Sequence, residues 1–321
     1  MSADDVSESR LQSAVVQPIP DDWFRPRSRK KHGAERLVRP STSYWKDTWI
    51  QFRKNKLAMG GLAFLIMLGI MAVIGPLLSH YNVTAQNLVM QDLAPSPAHW
   101  FGTDNLGRDV FVRTWYGARI SLFIGIVAAL ADLLIGVAYG GLSGYKGGRT
   151  DNVMMRIVEI LYGLPYLLVV ILLMVVMGPG LLTIVVALSA TGWTDMARIV
   201  RGQVLQLKNY EFVIASKSFG SGTARIIRKS LVPNTMGPII VQVTLTVPSA
   251  IFSEAFLSFL GLGVQAPFAS WGVMVNDSLS AILSGYWWQL FFPALFISLT
   301  MFAFNIVGDG LQDALDPNLR S

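Results

Sequence analysis

A charged segment separates two long apolar stretches of this chain, with the sequence Glu211-Phe-Val-Ile-Ala-Ser-Lys-Ser-Phe-Gly220 and an end at Pro233-Asn234. Apolar residues are mixed with charged ones in a pattern that suits short amphipathic helices lying against a membrane surface. The sequence Gly220-Ser-Gly222 predicts a turn between them. On this pattern alone, the segment is either a connecting loop whose cations set the membrane orientation or a surface on which a soluble partner acts.

The composition around this segment is that of an integral membrane protein. Of 321 residues, 52% are hydrophobic and only 14% are charged, which is too apolar for an ordinary soluble domain. About 20 apolar residues cross a bilayer as a helix, and the uncharged run from Ile160 to Thr194 is too long for one crossing and contains the turn sequence Gly178-Pro-Gly180. The sequence therefore predicts six transmembrane helices, near residues 57–79, 120–144, 153–177, 181–200, 236–260 and 287–307.

The Lys and Arg residues predict the orientation of these helices. Residues 1–56 hold 12 of the 26 cations, and with that end in the cytoplasm only Arg108, Arg113 and Arg119 fall outside. Cytoplasmic loops are enriched in Lys and Arg, so both termini are predicted to be cytoplasmic. The predicted divisions are a cytosolic extension (1–56), a first transmembrane helix (57–79), an extracellular loop (80–117), a transmembrane core (118–309) and a cytosolic tail (310–321). Within the core, residues 261–286 are either an outer loop or a re-entrant piece.

Several motifs resemble those of a known family. Glu211, Ala215, Gly220 and the closing Leu231-Val-Pro-Asn234 are similar to the cytoplasmic signature of ABC-importer permeases. The second alanine of that signature is Ser216 here, a small-for-small change. Further matches span residues 45–319 and resemble the C-type oligopeptide and dipeptide permeases, above all the oligopeptide subunit of Gram-positive bacteria. They lie at residues 99–109, 116–121, 144–149, 197–204, 254–263 and 308–317.

The resemblance implies an all-helical type I ABC importer permease in the bacterial plasma membrane. It also implies a homologous B-type permease subunit as partner, two ATPase subunits, a substrate-binding lipoprotein outside, and oligopeptides or dipeptides as cargo. ATP and Mg would be bound by the ATPases, so no cofactor is expected in this chain. In the family, the segment 211–234 forms a coupling helix that sits in a groove of the ATPase. The residues implied in this docking are Glu211, Ala215, Ser216, Gly220, Pro233 and Asn234.

Acidic residues inside the predicted spans form a second group of candidates. An acid at the centre of a transmembrane helix costs about 2.5–3.5 kcal/mol on insertion scales. We therefore expect Asp132 and Glu254 to line the translocation path or to contact another subunit. Glu159 follows Arg156 by three residues, a spacing that predicts a local ion pair.

The sequence also excludes some classes of function. There is no phosphate-binding loop and no cysteine, and the three histidines are scattered, so neither an ATP site nor a metal site is expected. The sequence Gly141-Leu-Ser-Gly144 is similar to an intramembrane protease motif, but no predicted span contains a histidine that could act as its base. The basic run at residues 25–31 is expected to face membrane lipid, not nucleic acid.

Two alternatives stay open. One is an ion-coupled secondary transporter or channel, although no internal repeat of the kind that class favours is visible. The other is an ABC permease for nickel or another small solute, because cargo selection rests largely with the binding protein in this family.

Overall fold

The computed structural model describes residues 44–315, and the regular elements within this range are helices. Most of the predicted cytosolic extension, up to residue 43, and the end of the predicted tail, from residue 316, lie outside the described residues. The α-helices in this range are α1 (Tyr44–Lys54), α2 (Lys56–Ile74), α3 (Val110–Lys146), α4 (Gly148–Gly163), α5 (Tyr166–Met177) and α6 (Leu181–Leu207). They continue with α7 (Glu211–Ser218), α8 (Thr223–Ile226), α9 (Met236–Phe259), α10 (Trp271–Asp277), α11 (Leu279–Leu283) and α12 (Trp288–Leu315).

Short helical turns of other types extend several of these elements. A 3-10 turn, Gly75–Leu77, prolongs α2, and a second one, Leu88–Met90, lies in the following loop. Between α8 and α9 the chain forms a π-helical turn, Ile227–Leu231, and then a 3-10 turn, Val232–Thr235. Residues 223–259 are therefore one almost continuous helical stretch.

Among the described residues, four helical stretches are long and apolar enough to cross a membrane. They are Lys56–Leu77, Val110–Lys146, Thr223–Phe259 and Trp288–Leu315. The pair α4 and α5 makes a fifth if it counts as one span, although its two halves are bent by 86°. The predicted number of six is therefore not confirmed, because α6 is not among these stretches.

Two local features explain the difference. The predicted third span, 153–177, breaks at Leu164 and Pro165, since proline lacks an N–H donor and disfavours helical backbone in the residue before it. Asp195, Arg198 and Arg201 lie in the second half of α6 and lower its mean hydropathy.

The predicted local ion pair of Arg156 and Glu159 is confirmed, with the two charged groups 2.9 Å apart on the exposed side of α4.

Close packing of α3 against α6 forms the centre of the molecule. Gly136, Gly140 and Gly144 follow one another at four-residue spacing on α3, and a Cβ atom at Gly140 would collide with the backbone carbonyl of Ala197 on α6. Small residues at this spacing let two helix backbones approach closely. A partly buried ion pair holds α4 to α6 beside this contact, because the Arg201 guanidinium donates to both oxygens of Asp151, at 2.6 and 2.7 Å.

The remaining long helices are arranged around this pair. Helix α9 packs against both α3 and α12, and α12 packs against α2. We call the end of the molecule with residues 208–235 the inner end, and the end with residues 78–109 and 261–287 the outer end, after the orientation that the cations predict. Asp109 begins α3 at the outer end, where its carboxylate accepts from the Val112 amide at 2.9 Å.

Candidate functional site

The coupling segment, residues 211–234, begins with α7 and then turns sharply at Gly220. The Ser221 amide donates to the Ser216 carbonyl at 3.1 Å, and the Gly220 amide donates to the Lys217 carbonyl at 3.0 Å. This is the Schellman pattern of helix termination, in which the penultimate residue adopts a positive φ. Gly220 has φ +76°, and a Cβ atom there would meet nothing within 4 Å. The glycine is therefore required by the backbone conformation and not by close packing within this chain.

One side of the segment is anchored in the helix bundle. Val213, Ile226 and Leu231 are buried and belong to one apolar cluster. Its other buried members are Met196, Val200, Val204 and Ile239, which come from α6 and α9. Burial of this apolar side fixes the segment to the two helices, so a displacement of α7 would be transmitted to them.

One side-chain contact, between Ser216 and Ser230, joins the two halves of the segment, and two further hydrogen bonds lie within one half each. The Ser216 hydroxyl donates to the Phe212 carbonyl at 2.9 Å and lies 3.4 Å from the Ser230 hydroxyl. The Asn234 amide donates to the Ser230 carbonyl at 2.6 Å. Ser216, which replaces the second alanine of the signature, thus lies between α7 and the π-helical turn and is half-buried.

The opposite side of the segment is exposed and partly apolar. Phe219 is 89% exposed and Ile214 is 54% exposed, while Phe212 lies beside Tyr210 with the two rings edge to face. Glu211, Ala215, Pro233 and Asn234 are exposed as well. We call Phe212, Ile214 and Phe219, together with Glu211, the docking face. An exposed apolar patch ringed by charges is typical of a protein-binding surface.

The docking face contains residues that the sequence analysis did not select. Phe212, Ile214 and Phe219 are absent from the predicted docking residues because the amphipathic pattern suggested that the apolar residues of this segment face the membrane. A signal was present in the sequence. Phe219 directly precedes the predicted turn at Gly220, so it lies at the end of a short helix. A side chain at such a position has few neighbouring residues to pack against and is expected to be exposed.

Asp132 lies between α3 and α6. It is 4% exposed, and a Cβ atom on Gly192 would lie 2.5 Å from one of its carboxylate oxygens. Its other oxygen accepts no hydrogen bond from a described residue. The structure therefore places Asp132 in the close contact between α3 and α6, and its predicted role in the path or in a subunit contact stays a prediction.

Glu254 lies at the meeting point of three elements. It is fully buried, and its carboxyl accepts hydrogen bonds from Ser121 of α3 at 3.0 Å, from Ser258 of α9 at 2.8 Å and from Ser270 at 2.6 Å. Ser270 also begins α10, since its hydroxyl accepts from the Val273 amide at 3.2 Å. Glu254 thus joins α3, α9 and α10 within this subunit. Its predicted role toward the path or the partner stays a prediction.

A network of charged residues holds the outer end together. The Arg113 guanidinium, which is buried, lies 3.2 Å from the Asp104 carboxylate and 3.3 Å from that of Asp277. Arg108 contacts the same two acids, at 2.7 and 3.4 Å. Burial raises the pKa of the Asp277 carboxyl, and the Arg108 guanidinium opposes that rise. The network fixes α10 to the loop before α3. In the sequence these arginines indicate only the orientation of the helices, so the network was not predicted.

Comparison with known proteins identifies relatives over nearly the whole chain. Residues 122–321 match the family model of binding-protein-dependent transport system inner membrane components, and residues 43–95 match that of the N-terminal TM domain of oligopeptide transport permease C. The chain is 70% identical to the dipeptide transport system permease protein DppC of Bacillus subtilis, over 98% of each protein. It is 58% identical to the oligopeptide transport system permease protein OppC of the same organism, over 95% of this chain and 100% of that protein.

A solved structure supports the fold. A chain of the MetNI methionine ABC transporter, in an inward-facing conformation, superimposes with a TM-score of 0.51 at 19% sequence identity. The match covers 62% of this chain and 94% of that chain. At this identity the likeness shows the fold alone, and that fold is the one expected from the sequence resemblance.

Proposed function

Because the chain belongs to the family of binding-protein-dependent transport system inner membrane components, we propose that it is the C-type permease subunit of an ATP-driven peptide importer. It is a multi-pass membrane protein and not an enzyme, since ATP hydrolysis in such systems is carried out by separate subunits. The relatives named for dipeptide and oligopeptide transport support peptide cargo. Peptides are therefore favoured over nickel or another small solute.

The proposed topology has six spans with both termini in the cytoplasm. In it, α4 and α5 form one broken third span, and α6 forms the fourth. The 27 residues of α6 measure about 40 Å at 1.5 Å per residue, enough to cross the hydrocarbon core of about 30 Å. Its charged half then reaches the cytoplasmic surface, where the Arg201 pair with Asp151 lies close to the end of α3.

The proposed partners are a homologous B-type permease, two ATPases and an extracellular binding lipoprotein. The observation that carries the proposal is that one side of the coupling segment is buried and the other exposed. Val213 packs against α6 and α9, and Phe219 is 89% exposed. An ATPase groove that holds the docking face would move α6 and α9 as it closes on ATP. The peptide path, enclosed by the two permeases, would then open alternately to the two sides of the membrane.

The experiment is peptide uptake into proteoliposomes that contain the complete complex, with ATP enclosed. Glu211→Lys and Gly220→Trp are expected to leave the complex in the membrane and to abolish ATP-dependent uptake of a labelled dipeptide. Glu159→Lys is the matched control, because it reverses the charge of an exposed acid on α4 and should leave uptake unchanged. Normal uptake by both coupling-segment variants would refute the assignment. Uptake that persists without ATPases and stops with an ionophore would instead favour the ion-coupled class.

A further inference from the structure

An apolar groove runs along the inner half of the molecule between α3, the coupling segment and the beginning of α9. Its volume is about 780 Å³, and it is open to the surroundings and not an enclosed cavity. Its walls include Leu133 and Leu142 of α3, Ile227 of the π-helical turn and Met236 of α9. This volume is within the range of about 300–1,000 Å³ typical of ligand sites.

Two cations lie at the inner mouth of this groove. Lys146, the last residue of α3, and Arg228 are both exposed, and both line the groove. Neither forms an ion pair with another residue in the range 44–315. No acidic residue lines the groove. The outer end is different, because Arg108 and Arg113 are both neutralised by aspartates there.

The dimensions of the groove match one leaflet of a bilayer. Leu133 and Lys146 are 13 positions apart on α3, which corresponds to about 20 Å along the helix. One half of a hydrocarbon core of about 30 Å is about 15 Å thick. The apolar walls would therefore lie within the leaflet, and the two cations would lie at its polar surface.

We propose that this groove binds one anionic phospholipid, with an acyl chain along the walls and the phosphate between Lys146 and Arg228. Unpaired cations at a membrane surface attract anionic headgroups, and uniformly apolar walls suit a hydrocarbon chain. Because Thr223, Ala224 and Ile227 line the same groove, the lipid would contact the coupling segment directly. The site depends on the proposed orientation of the chain but not on the identity of its cargo.

The test measures lipid binding to the purified complex in nanodiscs or mild detergent. Native mass spectrometry with added phosphatidylglycerol is expected to show binding about thirtyfold weaker for K146Q/R228Q than for the unmodified complex, from the loss of two surface cations. The control R149Q/R156Q removes two exposed cations of α4 and should bind the lipid normally. Equal affinity of all three proteins, or equal affinity of the unmodified complex for phosphatidylcholine, would overturn the proposal.

A second measurement separates the lipid from a protein occupant. The chain contains no cysteine, so Ala138→Cys places a single thiol in the wall of the groove. This thiol is expected to react with a phosphatidylglycerol that carries a thiol-reactive group on its acyl chain. Efficient disulfide formation with a cysteine on the partner permease would show instead that the groove is a subunit interface, and the proposal would fail while the proposed transport function stood.

Discussion

The outer end and the coupling segment use polar residues in opposite ways. At the outer end, Arg113 is buried between two aspartates, and Glu254 is enclosed by three serine hydroxyls. In residues 211–235 no ion pair reaches another described residue, and apolar and charged side chains lie exposed side by side. The polar contacts at the outer end fix helices to one another. The exposed side chains of the coupling segment are instead available to bind another protein. If the proposed function is right, substitutions at the outer end should change mainly stability, and substitutions in the coupling segment should change mainly transport.

Glu254→Ala should have the largest effect on stability. It leaves the hydroxyls of Ser121, Ser258 and Ser270 without their acceptor in a fully buried site and creates a cavity, so we expect a loss of at least about 3 kcal/mol in the free energy of unfolding. The measurement is thermal unfolding of the purified complex, followed by tryptophan fluorescence. Glu254→Gln keeps an acceptor oxygen and should lose much less. A midpoint for Glu254→Ala equal to the unmodified protein would show that the three-element contact contributes nothing.

Arg113→Ala should have the next largest effect. It leaves Asp104 and Asp277 with Arg108 as their remaining cation, so the loss should be about 2 kcal/mol, below the usual 3–5 kcal/mol for breaking a fully buried pair. Thermal unfolding is again the measurement. Arg113→Lys keeps the charge but lacks the planar guanidinium group that reaches two carboxylates. Its unfolding midpoint should lie between those of the unmodified protein and Arg113→Ala. Identical midpoints for all three proteins would contradict a stabilising role for the network.

The sequence predicted most of the helical architecture because apolar runs of sufficient length have few alternatives to a membrane helix. Long helices do lie on both sides of residues 211–234, and the chain turns at Gly220 as the sequence predicted. The sequence did not predict the 86° bend between α4 and α5. Pro165 predicts an interruption of the helix, but a single proline does not determine whether the helix bends or ends there.

The polar contacts could not be predicted for a different reason. Glu254 and Ser121 are 133 positions apart, and Arg113 and Asp277 are 164 positions apart. Local patterns contain no information on such pairs. An acid in a predicted span therefore reads as a candidate for the path, although the structure shows that Glu254 is enclosed by its own subunit.

Gly220→Ala should have a small effect on stability and a larger one on transport. A side chain at φ +76° costs about 1 kcal/mol, since the left-handed region is unfavourable for alanine. Gly222→Ala is a matched control, because this glycine has φ −68° and equally open surroundings. We expect Gly220→Ala to lower both the unfolding midpoint and ATP-dependent uptake, and Gly222→Ala to lower neither. Equal behaviour of the two variants would mean that the turn geometry is not what the segment requires.

Phe219→Ala should have the smallest effect on stability, and it tests the comparison most directly. Its side chain is 89% exposed, so its removal changes little buried surface and should leave the unfolding midpoint within experimental error. If the docking face holds an ATPase, the same substitution removes an aromatic anchor from that contact. ATP-dependent uptake should then fall at least about tenfold, while Phe219→Leu, which keeps an apolar side chain, should retain most of it. A stable Phe219→Ala protein that transports normally would show that the docking face does not bind the ATPase through this ring. Other residues would then have to couple ATP hydrolysis to transport.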